Sequence, residues 1–254
     1  MHPGTIPALL RVARRVLIWI EPLLFRVIRL SQENSPMVRA LLDAMESKPP
    51  EFFHNSVRHL ALELDWDCSE DEGRQLLALC KGVSNFGSSY GFTDPVLLPF
   101  LAEMRIQRLS LTLSELFGPG SIDLTHSLFR SVTHLDMFGL EGVVEVFPDV
   151  PLLPVLTHLC LDSNIQREIL LNLLAELPRL KLLLVQWQPE EKDLYELART
   201  PRAYDVRFVI GLCYDYWADW EAGARGLSDP WAQGDDFVAR KRKHEIEATC
   251  YWLE

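Results

Sequence analysis

Val132-Thr-His-Leu135-Asp-Met137 and Leu156-Thr-His-Leu159-Cys-Leu161 repeat one pattern: an aliphatic residue, two variable ones, a second apolar residue, one variable, and a third apolar residue. Five further copies align with them. They are Val57-Arg-His-Leu60-Ala-Leu62, Val83-Ser-Asn-Phe86-Gly-Ser88, Ile106-Gln-Arg-Leu109-Ser-Leu111, Leu180-Lys-Leu-Leu183-Leu-Val185 and Val206-Arg-Phe-Val209-Ile-Gly211. The middle anchors are spaced by 26, 23, 26, 24, 24 and 26 residues. Each copy alternates with the period of 2 that belongs to a strand. Between copies, Glu70 to Cys80, Val96 to Met104, Ile165 to Leu177 and Glu190 to Arg199 carry helical spacing. Ser69 with Glu72 forms a capping box, and Thr93-Asp94-Pro95 sets a cap before a proline at a first helical turn. Pro178, Pro189 and Pro201 punctuate the later units.

A strand and a helix every 25 residues or so predict an α/β chain: a solenoid of about seven irregular repeats with a parallel sheet and an apolar spine. The L-x-x-L-x-L kernel resembles a leucine-rich repeat, with only Asn164 near the position of the motif's usual Asn or Cys. The Thr-His-Leu copies and the unit from Leu76 to Phe86 are similar to the leucine-rich regions of fungal F-box proteins. The repeats extend over 51–213.

Upstream, residues 1–50 form an N-terminal helical segment and a connector. Leu9 to Arg26 reads as a helix, a turn at Pro22 and a second short helix. It resembles the second half of an F-box, and only eight residues precede Leu9. The resemblance implies that Leu10, Val12, Trp19 and Leu23 bind the Skp-type adaptor of an SCF ubiquitin ligase. The same helical pair would equally serve as a cap on the first repeat. Ser35 to Pro50 reads as a connector around a helical piece from Met37 to Met45. Residues 214–254 leave the repeat and hold Trp217, Trp220, Trp231 and Trp252. They form an aromatic-rich segment that caps the last strand or serves recognition.

Composition narrows the function classes. With 48% hydrophobic residues the 254-residue chain has ample core material, and a net charge of −11 argues against nucleic acid and anionic membrane as partners. Five cysteines without a CxxC pair fit a reducing compartment, cytoplasm or nucleus. Glu21, Arg26 and Arg29 interrupt the apolar stretch from Val16 to Leu30, so it does not span a membrane. Arg240 to Lys243 reads as a solvated helix face or a basic nuclear signal.

In each kernel the residues flanking the anchors point away from the core and stack in ladders across the strands. One ladder is His59, Asn85, Arg108, His134, His158, Leu182 and Phe208. The next is Ala61, Gly87, Ser110, Asp136, Cys160, Leu184 and Ile210, and a third runs from Glu63 through Ser89 and Asp162 to Gln186 and Leu212. His59, Glu63, Arg108, His134, Asp136, His158, Asp162 and Gln186 therefore form a candidate concave, protein-binding face. The face turns apolar toward Leu182, Leu184, Phe208 and Ile210, where either the aromatic C-terminal segment folds back or a ligand is received. His134, His158, Asp136, Cys160 and Asp162 include zinc-ligand types, but a template that supplies Thr-His before each Leu produces the same adjacency. Neither a metal nor a cofactor is assigned. Titration of the histidine pair is expected to make binding depend on pH between about 5 and 8. The acidic cluster Glu63 to Glu72 reads as a solvated rim or as a selector of basic partners. Gly87-Ser88-Ser89-Tyr90-Gly91 matches a nucleophile elbow, yet it leads into a loop instead of a helix, which leaves a serine hydrolase built on Ser89 as a remote alternative. The reading is a non-catalytic recognition module whose protein target the sequence leaves unidentified, or an orphan repeat scaffold without an adaptor.

Overall fold

The computed structural model describes residues 14–31, 35–63, 70–89, 92–139, 144–163, 165–188 and 205–253. Leu10, Val12, Ser69, Asn164 and the helix expected over Glu190 to Arg199 lie outside them.

The chain is an α/β protein, and its described residues form one sheet of eight parallel strands in sequential order. The strands are β1 (Val27–Leu30), β2 (His59–Leu62), β3 (Asn85–Ser88), β4 (Arg108–Leu111), β5 (His134–Met137), β6 (His158–Asp162), β7 (Leu182–Trp187) and β8 (Phe208–Leu212). Helices alternate with them: α1 (Arg14–Leu24), α2 (Ser35–Ser47), α3 (Pro50–Ser56), α4 (Glu70–Leu79), α5 (Leu97–Glu103), α6 (Leu113–Phe117) and α7 (Arg167–Glu176). Two 3-10 segments, Ser127–Ser131 and Val144–Leu152, connect β4 to β6. Pro148 and Pro151 lie inside the second, where each lacks the N–H that α-helical bonding needs. The helices expected between Glu70 and Cys80, Val96 and Met104, and Ile165 and Leu177 are α4, α5 and α7. Asp94 accepts the Val96 amide at 2.7 Å in the turn that opens α5.

One face of the sheet packs on these helices. Leu60, Phe86, Leu109, Leu135, Leu159 and Leu183 are buried there, in register across six strands. They belong to one continuous apolar cluster with residues of α2 to α7.

Two expectations fail in register or type. The turn expected at Pro22 is absent, since α1 runs through it to Leu24, so the expected second short helix is the end of α1 and a bend at Phe25 and Arg26, after which β1 opens. Phe25-Arg-Val-Ile28-Arg-Leu30 is an eighth kernel, with Ile28 opposite Leu60. Its 32-residue spacing from Leu60 falls outside the period of the others. In β8 the frame slips by one: Phe208 pairs with Leu183, and Val209 with Leu184. A slip of one residue moves every side chain to the opposite face. Phe208 and Ile210 therefore join the helix-side core, and Val209 joins Leu182 and Leu184 on the other face.

That other face is covered by the C-terminal segment. Helix α8 (Tyr216–Ala224) reaches β1, and α9 (Pro230–Arg242) lies on β7 and β8. Beyond α9 the chain returns to the sheet edge, where the Ile210 amide donates to the Tyr251 carbonyl and the Leu253 amide to the Ile210 carbonyl. The segment thus caps the last strand and also crosses the whole face. The basic run at the end of α9 is solvated in part only, because Lys241 is buried. Among the described residues no helix is long and apolar enough to cross a membrane.

Candidate functional site

The ladder residues lie between the sheet and the C-terminal helices. Thr133 and Thr157 precede the histidines, and their hydroxyls lie 2.9 and 2.8 Å from Nδ1 of His134 and His158. Each threonine thereby fixes its neighbour's ring plane. The two rings stack with centroids 4.0 Å apart and planes 3° from parallel, which the spacing of adjacent strands permits. Trp231 of α9 stands perpendicular to both rings, with centroids 5.2 and 5.9 Å away. Asp235, one turn along α9, lies 3.1 Å from His158 Nε2. Facing a carboxylate, Nε2 carries the proton, and the Thr157 hydroxyl beside Nδ1 donates to the Thr133 carbonyl at 3.1 Å.

Burial sets the charge state of the pair. It pulls the His134 pKa down to about 3, with His158, Arg108 and Lys181 adding repulsion. His158 is lowered for the same first reason, although Asp235 opposes the shift. His59, buried near Arg26, Arg108 and Arg58, falls to about 4. His158 is therefore biased toward its neutral form, and His134 is neutral across the range from 5 to 8 and gives no switch there. Asp136 takes that place: burial raises its carboxyl to about 7, assisted by Asp162 and opposed by hydrogen bonds from Tyr216 and Cys160. The Tyr216 hydroxyl donates to Asp136 and accepts from Ser110.

Ion pairs join the charged positions of the face to the C-terminal helices. Arg108 Nη1 donates to Asp229 Oδ2 at 2.9 Å, and the other oxygen of Asp229 accepts the Ala232 amide at the N-terminus of α9. Gly223 permits this approach, because a Cβ there would sit 2.2 Å from Asp229 Oδ2. Arg29 bonds Glu63 along the sheet and faces Glu221 of α8 at 3.6 Å. Asp162 accepts the Gly139 amide at 2.8 Å. Between the sheet and the helices remains a cavity of about 20 Å³, lined in part by Asn85, Asp136, Gln186, Tyr216, Trp220 and Trp231. It has room for a water or two.

His59, Arg108, His134, Asp136, His158 and Gln186 are thus brought together under α8 and α9, with Glu63 and Asp162 at the strand ends. The resident partners, Glu221, Asp229, Trp231 and Asp235, were not among the sequence-predicted residues. Their signal was the six acids against the single base Arg225 between Asp215 and Asp236, a stretch complementary to Arg29 and Arg108. The zinc-type residues do not converge: Cys160 bonds Asp136, the histidines are held by their threonines, and among the described residues no group of three metal-ligating side chains occurs. Ser89 Oγ is buried without a hydrogen-bond partner, and the next helix starts only at Leu97. Among the described residues no histidine is hydrogen-bonded to Ser89. Cys80, Cys160 and Cys213 are free and buried, and burial pushes the Cys80 and Cys213 thiols up to about 12.

Away from this face, α1 exposes apolar side chains. Trp19 and Leu23, one turn apart, share one side of the helix and are 72% and 38% exposed, and Ile18 beside them is 61% exposed. Trp19 and Leu23 are the two adaptor-binding candidates inside the described residues.

Comparison with models of protein families finds no match, and no curated protein matches the chain.

Proposed function

We propose that the chain is a non-catalytic protein-recognition module, a leucine-rich-repeat solenoid that docks on a Skp-type adaptor through α1 and recruits a target to an SCF-type ubiquitin ligase. The observation that carries the reading is the exposed Ile18, Trp19 and Leu23 surface on α1, which stands outside the core that the repeats build. A tryptophan flanked by aliphatic residues is the composition of an interface anchor. Sequential parallel strands with short helical returns support the repeat reading, since each unit contacts its neighbours along one spine. Free, buried thiols accord with a reducing compartment, cytoplasm or nucleus. Ubiquitin transfer is then the work of other subunits, and this chain supplies geometry.

Size-exclusion co-elution of the full chain with a Skp-type adaptor tests it. A stoichiometric complex that is lost in Trp19→Ala and Leu23→Ala supports adaptor docking. No complex at about 50 µM, where contacts of micromolar strength would be populated, overturns it. The second reading, an orphan repeat scaffold without an adaptor, is favoured by one observation: the ladder face is occupied by the chain's own helices.

A further inference from the structure

Residues 214–250 leave β8 at its C-terminal end and come back to β8 at Tyr251, so both roots of the segment stand on one strand. Between the roots it crosses the sheet as far as β1, a span of seven strand spacings or about 34 Å. Among the described residues no backbone-to-backbone hydrogen bond joins 214–250 to β1 to β7. The polar links from α8 and from the start of α9 to the sheet are made by side chains: Glu221 to Arg29, Tyr216 to Asp136, Asp229 to Arg108 and Asp235 to His158. Lifting this segment breaks no strand pairing. Gly226, at φ +77° between the two helices, gives the chain a turn at which α8 can swing separately from α9.

The fit beneath the two helices is unequal. Under the middle of α9 the face is apolar, with Leu182, Leu184 and Val209 against Phe237 and Val238, while the first turns of α9 set Trp231 and Asp235 on His134 and His158. Under α8 it is polar, and there His59 Nδ1, Asn85 Oδ1 and Trp220 Nε1 are buried without a hydrogen-bond partner. Unpaired buried polar atoms weaken an interface. The α8 half is therefore where the cover comes away first. What covers the face also describes what the face accepts: carboxylates opposite Arg29, Arg108 and His158, and an indole set perpendicular to the stacked histidines.

We propose that residues 214–250 are an intramolecular occupant of the recognition face, releasable from its β1 to β4 side, and that the face accepts in trans an acidic helix bearing a tryptophan. This rests on the protein-recognition reading above and not on adaptor docking by α1.

The probe is a fluorescein-labelled synthetic peptide with the sequence of residues 214–239, added to the full-length chain and followed by anisotropy. In the unaltered chain the tethered copy outcompetes it through its effective concentration. In the Glu221→Gln/Asp229→Asn chain, which keeps a good cap at 229, the peptide is expected to bind at least about tenfold more tightly. A peptide carrying Asp229→Lys and Asp235→Lys is expected to lose binding. Hydrogen exchange on the unaltered chain supplies the second measurement, independent of how the variant folds. The α8 amides should exchange at least about tenfold faster than those of β4 to β6. Equal protection of α8 and these strands overturns the releasable cover. Fast α8 exchange with no peptide binding to either chain overturns recognition by this face, whatever the adaptor experiment shows.

Discussion

The two halves of the covered sheet face solve the same packing problem with different chemistry. Beneath α9, the β6 to β8 strands present Cys160, Leu182, Leu184 and Val209 to aromatic and aliphatic residues of the helix, and Gly234 comes so close that a Cβ would meet Leu182 at 2.6 Å. Beneath α8, the β1 to β4 strands present Arg29, His59, Asn85 and Arg108, with Val27 and Ala61 as a smaller apolar patch under Trp220 and Ala224. Apolar contact needs only shape, whereas polar contact must match every donor with an acceptor. One half is a core and the other is an interface.

Truncation separates the halves most strongly. Phe237→Ala removes a buried ring from the α9 side and is expected to lower global stability by about 3–4 kcal/mol in urea unfolding. Trp217→Ala, on the α8 side over Gly87, is expected to cost about 1–2 kcal/mol and to speed exchange of α8 amides first. Equal costs would break the distinction.

Titration gives the next effect. Asp136 has a carboxyl at about 7 in the folded chain against an ordinary 3.8, so the folded state holds the extra proton and stability declines as pH rises between these values. His59 and His134 act in the opposite sense: with folded values of about 4 and 3 against 6.5, they withdraw stability as pH falls below 6.5. Asp136→Asn should remove the first trend, raising stability at pH 7 by on the order of 2 kcal/mol, and keep the acid loss. Urea midpoints at five pH values read both slopes.

Lys241 is the ion within the apolar half. Its ammonium donates to the Phe208 carbonyl at 2.8 Å and lies 5.0 Å from the centre of the Phe237 ring, and burial lowers it to about 8. The unfolded chain therefore binds more protons between pH 8 and 10.5, and stability rises across that window. Lys241→Met should flatten the rise, by about 1–2 kcal/mol at its upper end. Arg108→Gln carries the smallest change. It loosens Asp229, the cap of α9, and should cost about 1 kcal/mol, read as faster exchange in the first turn of α9 with little change in that of β6 to β8.

Part of this asymmetry was legible beforehand. The kernels place His59, Asn85, Arg108, His134 and His158 side by side because a period of 2 leaves one frame that buries every anchor, and that alignment holds through β7. The frame is ambiguous at Val206 to Gly211, where three consecutive apolar residues satisfy either face. The helix-side core takes Phe208 and Ile210, and Val209 goes to the other side. The strand at Val27 was hidden by an apolar run that serves a helix as well. Of the site, the ladder could be read from the kernels, and its acidic partners could not be placed, since nothing local tells Asp229 that Arg108 stands 121 residues away.

The sequence by itself determined the strand–helix alternation, the parallel register of most strands and the chemistry of each ladder, because these follow from short-range periodicity. Only the tertiary structure decided that β1 exists, that β8 is shifted by one, and that the ladder face is closed by α8 and α9. Those outcomes come from competition among distant apolar and charged groups for the same buried surface, a choice that local spacing does not encode.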